Sequence, residues 1–238
     1  MEPKASIAYR NMLLGSMSAS DIARLAPHLS LVDLPRNQTL HAPGKTVEMV
    51  YFLEDGICSV VAAMAGGETV EVGIVGRDGF VGFPAVLGTD SMPNRCFMQI
   101  PGYGFRVKSA ILAEQSEASS TLRACLFRSL QGQLVQTAQT AACNRVHNLH
   151  RRLARWLLMC RDRVQTDCVV ITQELLATML GTRRSSVTVA ARILQKAGLI
   201  TYTRGHVTIE DLAGLKDAAC ECYQVAHDEY VRLGLLPA

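Results

Sequence analysis

Residues 171–209 constrain the fold most tightly, because two short amphipathic helices, a glycine turn and an alternating hairpin follow one another there. Thr172 is placed to cap the first helix, Gly181 makes the turn, and Thr182 is placed to cap a second helix, Arg183 to Lys196. The residues predicted to be buried lie on one face of each helix: Leu175, Leu176, Met179 and Leu180, then Val187, Ala190, Ala191 and Leu194. The pattern predicts a helix-turn-helix.

Two strands follow, Leu199 to Thr203 and His206 to Ile209, and they meet at Arg204-Gly205. A helix-turn-helix with such a wing places the first turns of its second helix in the major groove of DNA. Arginine suits guanine because its fork matches two acceptors on one base edge. Helix amino termini suit phosphate contacts. The residues predicted to contact DNA are therefore Thr172, Gln173, Thr182, Arg183, Arg184, Ser185, Ser186, Thr188, Arg204 and His206.

The positive charge of the chain is concentrated around this segment. Between Arg123 and Arg204 there are 13 basic residues and three acidic ones, a net charge of +10, whereas the whole chain carries +3. Such asymmetry indicates a basic segment that meets a polyanion, attached to a part that does not. Charge alone also fits a solvated helix face, or a protein-interaction module whose basic face docks an acidic partner. The helix-turn-helix pattern favours double-stranded DNA.

The first half of the chain has a different pattern. Ser18 to Asp21 resembles a capping box for a short helix that Pro27 closes, after an earlier helix from Ile7 to Leu14. From Leu31 to Val107, short β-segments alternate with glycine turns, which is typical of an antiparallel roll or barrel. In Glu68 to Val75 the alternation places Val70, Val72 and Ile74 on one face and Thr69 and Glu71 on the other. The other predicted strands are Met49–Leu53, Ile57–Met64 and Arg95–Ile100.

A long helical region follows Lys108. Its apolar positions recur at three-four spacing, which is the seam of a coiled coil: Phe127, Leu130, Leu134, Thr137 and Ala141. The seam favours a homodimer, and an amphipathic helix packed on its own domain is the alternative. Residues 144–148 interrupt the pattern and predict a hinge, with Asn148 capping the next helix. The fold class is α+β, with a β-roll over 1–108, a dimerisation helix and hinge over 109–146, and a winged helix-turn-helix domain over 147–238.

Several function classes are disfavoured. No apolar stretch is long enough for a signal peptide or a bilayer span, so we expect a cytoplasmic protein without membrane contact. Its eight cysteines are then expected to be reduced thiols. No nucleophile–base pair, helically spaced carboxylate pair, Walker-type loop or metal-ligand quartet is apparent, which argues against an enzyme. Cys220 and Cys222 fall in a predicted helix, Leu212 to Leu233, where side chains two apart point about 200° apart. They are interpreted as unrelated thiols, with no metal expected.

In their order, these parts resemble the Crp–Fnr family of bacterial regulators from about Leu31 to Ile209. The best-matched stretches are PGKTVEMVYFLEDGICSVV, VGRDGFVGFP and ITQELLATMLGTRRSSVTVAARILQKAGLI. The resemblance implies a cyclic-nucleotide-binding-like β-roll (a double-stranded β-helix), a homodimer on a palindromic promoter site, and RNA polymerase as a further candidate partner. Arg184 falls where the family keeps a base-reading arginine, whereas Ser185 and Val189 replace a frequent glutamate and arginine. The target sequence should therefore differ from that of the best-known members, and activation and repression both stay open.

The resemblance also bears on the effector. The residue pairs that hold ribose and phosphate in the cyclic-AMP-binding branch become Gly82-Phe83 and Arg95-Cys96 here, and phenylalanine cannot accept hydrogen bonds from ribose. These four residues are the candidate effector pocket, cyclic AMP is disfavoured, and Arg95 is either an anion contact or an ordinary surface charge. No cysteine precedes Cys58, which argues against the family's iron–sulfur cluster. His41 and His147 are isolated and interpreted as structural, so no cofactor is expected.

Overall fold

Residues 8–237 are described by a computed structural model, which begins with two short helices, α1 (Met12–Ser16) and α2 (Ala19–Leu25). Ser18 caps α2 as predicted, its hydroxyl accepting from Asp21 N. The predicted start of the first helix is wrong within the described residues, and Ile7 lies outside them. Asn11 caps α1 and also donates from Nδ2 to the carbonyls of Leu53 and Gly79, at 3.0 and 2.9 Å. The cap is thus fixed by the roll, which sets where the helix begins.

An antiparallel β-roll follows, as predicted. Its strands are β1 (Ser30–Leu34), β2 (Thr39–His41), β3 (Met49–Leu53), β4 (Ile57–Ala63), β5 (Thr69–Val75), β6 (Arg95–Ile100) and β7 (Gly102–Lys108). They form two sheets with the orders β1-β7-β3 and β2-β6-β4-β5. Tyr51, Val60, Val75 and Met98 are among the buried residues of the roll interior. Strand β7 was not predicted, because its glycines resemble a turn. Glycine is needed at 104 for another reason: a Cβ there would lie 2.4 Å from the carbonyl oxygen of Phe52 on the neighbouring strand β3.

The predicted alternation in β5 is wrong in its second half. Its register against β4 shifts by one residue between Val60 and Val61, and a bulge of this kind changes the face on which later side chains lie. Val72 packs beside the roll interior, whereas Ile74 lies in the core shared with the carboxy-terminal domain. Glu71, predicted to lie on the polar face, is buried against that domain.

Helix α3 (Ser109–Ala118) leads into the long helix α4 (Ser120–Val146), which Ser119 caps. The face of α4 that packs on its own chain contains Leu122, Cys125, Leu126, Ser129, Gly132, Gln133 and Gln136. This face is not the predicted seam. Phe127 and Leu134 of the seam are 44% and 68% exposed, and only Leu130 packs against a core. The helix therefore packs a face of mixed apolar and polar side chains on its own chain and leaves most of the seam uncovered.

The predicted hinge over 144–148 is too long, because residues 144–146 belong to α4 and only His147 and Asn148 separate the two helices. Asn148 occupies the N-cap position of α5 (Leu149–Val164) without a side-chain cap bond. The carboxy-terminal domain then contains β8 (Cys168–Val170), α6 (Gln173–Met179), α7 (Arg184–Lys196), β9 (Ile200–Thr203), β10 (His206–Ile209), α8 (Leu212–Ala218) and α9 (Cys222–Arg232). Its core includes Trp156, Leu157, Val187 and Leu194, and it is continuous with Ile57 and Phe97 of the roll. No helix within residues 8–237 is both long and apolar enough to span a bilayer.

The single predicted helix from Leu212 to Leu233 is wrong, because the chain breaks between α8 and α9. Ala219 is extended, with φ −70° and ψ 165°. Leu215 of α8 packs in the core of the carboxy-terminal domain, whereas Tyr230 of α9 packs in the core beneath the long helix. The break allows both contacts. It also places Cys220 and Cys222 together in a buried cluster with Cys143, so the interpretation of two unrelated thiols is wrong.

Candidate nucleic-acid interface

The turn between α6 and α7 has the geometry that its residues predict. Thr172 Oγ1 accepts from Leu175 N at 3.2 Å, which confirms the predicted cap of α6. Gly181 has φ +58°, a conformation that glycine adopts without the strain of a side chain. The predicted cap of α7 is wrong by one residue. Arg183 occupies the N-cap position, because the Thr182 amide belongs to the turn and donates to the Ala177 carbonyl at 2.9 Å.

Gln173 and Thr188, both predicted to contact DNA, bond to each other in this structure. The Thr188 hydroxyl lies 3.0 Å from Gln173 Oε1 and 3.2 Å from the Arg184 carbonyl. This contact links the amino terminus of α6 to the second turn of α7. This hydrogen bond therefore helps to hold α6 and α7 together, independently of any contact that the two side chains make with DNA.

Arg183, Arg184 and Ser185 are exposed at the beginning of α7, while Thr182 and Ser186 are half-buried. Within residues 8–237, neither arginine has a carboxylate within 4.0 Å. Burial raises the pKa of Tyr202 to about 12, and the nearby Arg184 guanidinium opposes that rise. Tyr202 belongs to β9, so the charge of Arg184 acts on the wing as well as on the helix. Its guanidinium is free to meet an anion at the surface.

The wing is the hairpin of β9 and β10, and β10 also pairs with β8. Arg204 and Gly205 have φ of +51° and +82°, the signs that a two-residue type I′ turn requires. Arg204 and His206 are both exposed at this tip. The Gly205 carbonyl accepts from Ile171 N at 2.8 Å, which ties the tip to the start of α6. Strand β8 escaped prediction because it is only three residues long.

The basic surface is smaller than the sequence count indicates. Arg155 and Arg163 are 5% and 3% exposed and serve internal contacts. Arg161 pairs with Asp167 at 2.6 Å. The basic residues exposed on or near the helix-turn-helix are Arg183, Arg184, Arg192, Lys196 and Arg204. Four further basic residues are exposed on α4 and α5: Arg123, Arg128, Arg145 and Arg151.

A cleft of 900 Å³ separates the beginning of α7 from the β4–β5 hairpin of the roll. Its walls include Glu68 and Val70 on the roll, and Thr182, Arg184 and Ser186 on the other side. A Cβ on Gly181 would lie 3.2 Å from Val70 Cγ1, so the turn itself touches the roll. No sequence pattern indicated this contact. The roll therefore contacts the turn that precedes the predicted DNA-contacting residues of α7.

The four candidate effector residues do not share one pocket. Arg95 and Cys96 are neighbours on β6 and therefore point to opposite faces. Cys96 is buried in the roll interior, which Phe83 borders. Arg95 is exposed, with Nη2 3.0 Å from Thr39 Oγ1 and its guanidinium 4.7 Å from the Phe97 ring centre. Gly82 has φ +120° and leads into the short turn that holds Phe83.

The comparisons with known proteins agree with this geometry. Residues 151–218 match the model of the Crp-like helix-turn-helix domain. The global nitrogen regulator of Nostoc sp. is 22% identical over 185 residues, which cover 73% of this chain and 82% of the relative.

Solved structures have the same fold. FixK2 from Bradyrhizobium japonicum superposes with a TM-score of 0.70 at 13% identity, covering 81% of this chain and 98% of its own. A transcriptional regulator of the Crp/Fnr family from Thermus thermophilus has a TM-score of 0.62 at 18% identity, covering 80% and 98%. The roll, the long helix and the winged helix-turn-helix are thus the fold of these regulators.

Proposed function

We propose that this chain, whose residues 151–218 form a Crp-like helix-turn-helix domain on the fold of the Crp/Fnr regulators, binds one palindromic DNA sequence as a homodimer and regulates transcription there. The observation that carries the proposal is the position of Arg184. Its guanidinium is exposed on the first turn of α7, without a carboxylate partner among the described residues, and beside the wing. A major-groove helix needs its base-contacting arginine there.

The other predicted contacts divide into those that contact bases and those that contact the phosphate backbone. Arg183 and Ser185 flank Arg184 on the exposed surface of α7. Thr172 lies at the amino terminus of α6, where backbone N–H groups and the helix dipole favour a phosphate. Arg204 and His206 at the wing tip extend the contact along the backbone of the DNA. Val189 is 58% exposed one turn further along α7, where an apolar side chain suits a thymine methyl group.

The exposed seam of α4 supports the dimer. Phe127 and Leu134 present apolar surface to solvent on a helix that already buries a different face against its own roll. Pairing two seams covers this surface and places the two copies of α7 symmetrically. A palindromic site with half-sites one helical turn apart matches that two-fold arrangement.

We also propose that cyclic AMP does not control the protein. Arg95, the candidate phosphate contact, lies outside the roll interior with Thr39 and Phe97. Phe83 stands where a ribose-binding carboxylate would be needed, and its ring packs edge-on against Phe80 at 5.7 Å. Thermal unfolding with and without cyclic AMP tests this directly. We expect cyclic AMP to leave the midpoint temperature of unfolding unchanged, and a clear rise would contradict the proposal.

A gel-shift assay on the upstream regions of the organism's own genes tests the proposed function. We expect a subset of fragments to shift at moderate salt, and unrelated fragments of the same length to shift only at much higher protein concentration. The same retardation for every fragment would mean that the surface binds DNA without reading sequence. Failure to shift any fragment, with or without cell extract, would overturn the proposal.

A further inference from the structure

Four potential metal ligands meet where the long helix ends. Cys143 lies in the last turn of α4 and His147 between α4 and α5, while Cys220 lies in the break between α8 and α9 and Cys222 is the first residue of α9. One ligand atom from each of the four lies within 4.8 Å of every other. The hinge and the carboxy-terminal segment, which are far apart in the sequence, converge there. The proposed function uses none of these residues.

Two distances within the cluster are close to the edges of a tetrahedral zinc site. Zinc lies about 2.3 Å from thiolate sulfur and about 2.0–2.1 Å from imidazole nitrogen, so tetrahedral edges are about 3.8 Å between two sulfurs and about 3.6 Å between sulfur and nitrogen. Cys143 Sγ lies 3.4 Å from Cys220 Sγ, and Cys222 Sγ lies 3.6 Å from His147 Nδ1. The other distances within the cluster do not exceed 4.8 Å, so an ion at the centre requires the ligand atoms of any pair to approach by at most about 1 Å.

The three thiols are not ordinary core residues. They are 0%, 3% and 4% exposed, yet they form a cluster of their own, separate from the apolar cores on either side. A buried cysteine that serves only as a small apolar residue packs among aliphatic or aromatic side chains. Here sulfur meets sulfur and an imidazole nitrogen instead, and this is the donor set that zinc prefers.

The surroundings of the cluster complete the arrangement. Glu221 Oε1 lies 3.1 Å from His147 Nε2, so the outer nitrogen of the ring is held by a carboxylate while Nδ1 faces the sulfurs. Metal-binding histidines are commonly oriented by such a carboxylate. The charges of Arg152 and Arg155 act on the Cys143 sulfur. They offset the net negative charge of one zinc ion with three thiolates.

We propose that Cys143, His147, Cys220 and Cys222 bind one zinc ion. This goes beyond the proposed DNA-binding function and does not depend on it. The ion displaces the three thiol protons to solvent and involves no change of oxidation state. All four ligands come from the protein, which is the composition of a closed structural site rather than a catalytic one. Bound zinc would fasten the hinge to the carboxy-terminal segment and fix the carboxy-terminal domain against the long helix.

Metal analysis of the full-length chain tests the proposal. The protein is purified under reducing conditions, stripped with a chelator, and titrated with Zn²⁺ or Co²⁺. We expect one Zn²⁺ per chain, and with Co²⁺ the d–d absorption of a tetrahedral ion together with thiolate charge-transfer bands. Cys143→Ser and Cys222→Ser should abolish this spectrum. Cys168→Ser is the matched control, because it removes an exposed thiol outside the cluster and should leave the spectrum unchanged.

A subtler variant tests the carboxylate that orients the histidine. Glu221→Gln removes the charge behind His147 without removing a ligand, and we expect zinc affinity to fall by about 10- to 100-fold at unchanged stoichiometry. The cobalt spectrum of the wild-type protein does not depend on the folding of any variant, so it tests for a tetrahedral site even if the serine variants are unstable. Three results would each overturn the proposal. They are the absence of tetrahedral absorption, loss of metal in Cys168→Ser as in Cys143→Ser, and a Cys143–Cys220 disulfide in place of metal under these conditions. None of these readouts involves DNA, so failure here is separate from failure of the proposed function.

Discussion

Arg163 of α5 lies 2.6 Å from the carboxylate of Asp78, in the turn that follows β5, and the two side chains are 3% and 0% exposed. The same guanidinium donates to Gln136 of α4 at 2.9 Å, and it lies over the Tyr230 ring at 5.3 Å. This buried ion pair joins the roll, the long helix and the DNA-binding domain at one point. A Cβ on Gly76 would lie 2.8 Å from Arg163 Cβ, so glycine is what lets the two segments approach.

We expect Asp78→Ala to lower the free energy of unfolding by about 3–5 kcal/mol, because it leaves the Arg163 charge buried without its partner. Urea unfolding followed by the fluorescence of Trp156, the only tryptophan, measures the change. Asp167→Ala is the matched control. It breaks the partly exposed pair with Arg161, whose side chains are 32% and 57% exposed, and should cost less than about 1 kcal/mol. Equal effects would show that the buried pair has no special role.

Glu71 should make stability depend on pH. Burial raises its pKa to about 7, against hydrogen bonds from Ser59 and Trp156 that lower it. Because this pKa is above the ordinary value of 4.5, the native state binds more protons than the unfolded state between these two values. The stabilisation is therefore complete below about pH 4.5 and is lost as the pH rises through about 7.

Glu71→Gln should flatten this part of the pH profile, since the amide cannot ionise but fills the same volume. Urea midpoints measured across the interval from about pH 5 to about pH 8 test it. Glu68→Gln, an exposed change on the same hairpin, is the control and should retain the wild-type slope. A Glu71→Gln variant with the wild-type slope would assign the pH dependence to another group.

Arg184→Ala should weaken binding to the specific DNA site by about 1–3 kcal/mol, and unrelated DNA much less, because a base contact is lost. Arg123→Ala removes the same charge from an exposed position on α4, outside the helix-turn-helix, and serves as the control. Fluorescence anisotropy on specific and scrambled duplexes measures both. Arg184→Ala could instead weaken binding to both duplexes equally, with an effect that vanishes at higher salt. The basic face would then bind polyanions in general, or an acidic protein.

Leu134→Glu should separate the two protomers. A charge at the centre of an apolar seam is costly to bury, and we expect dimerisation to weaken by at least roughly 100-fold. Sedimentation equilibrium gives the association constant directly. Leu87→Glu introduces the same charge at another exposed leucine, on the roll, and should leave the dimer intact. Unchanged association of Leu134→Glu would contradict dimerisation through this seam.

Local features of the sequence predicted local structure well. The Thr172 cap, the Gly181 turn and the β9–β10 hairpin each depend on a few neighbouring residues, so the sequence pattern was sufficient to predict them. The domain boundaries and the predicted DNA contacts stay predictions. Contacts between distant segments could not be predicted from local patterns, and the pairing of Arg163 with Asp78 is an example. In the sequence, Arg163 counts as one more basic residue near the DNA-binding motif, and only the fold shows that it is buried.

The cysteine cluster shows the same limit more sharply. Cys220 and Cys222 were interpreted as lying on one helix, because nothing local marks the break at Ala219. The break lets Leu215 and Tyr230 pack in two different cores, and both cores consist of residues from distant parts of the chain. His147 likewise looked isolated until the fold brought three thiols beside it.

Selection of binding sites from a random DNA pool, with the full-length protein, tests the central claim most directly. We expect enrichment of a palindrome whose half-sites lie one helical turn apart, and loss of one base preference in each half-site with Arg184→Ala. Enrichment of no sequence at moderate salt, or a consensus that Arg184→Ala leaves unchanged, would contradict it.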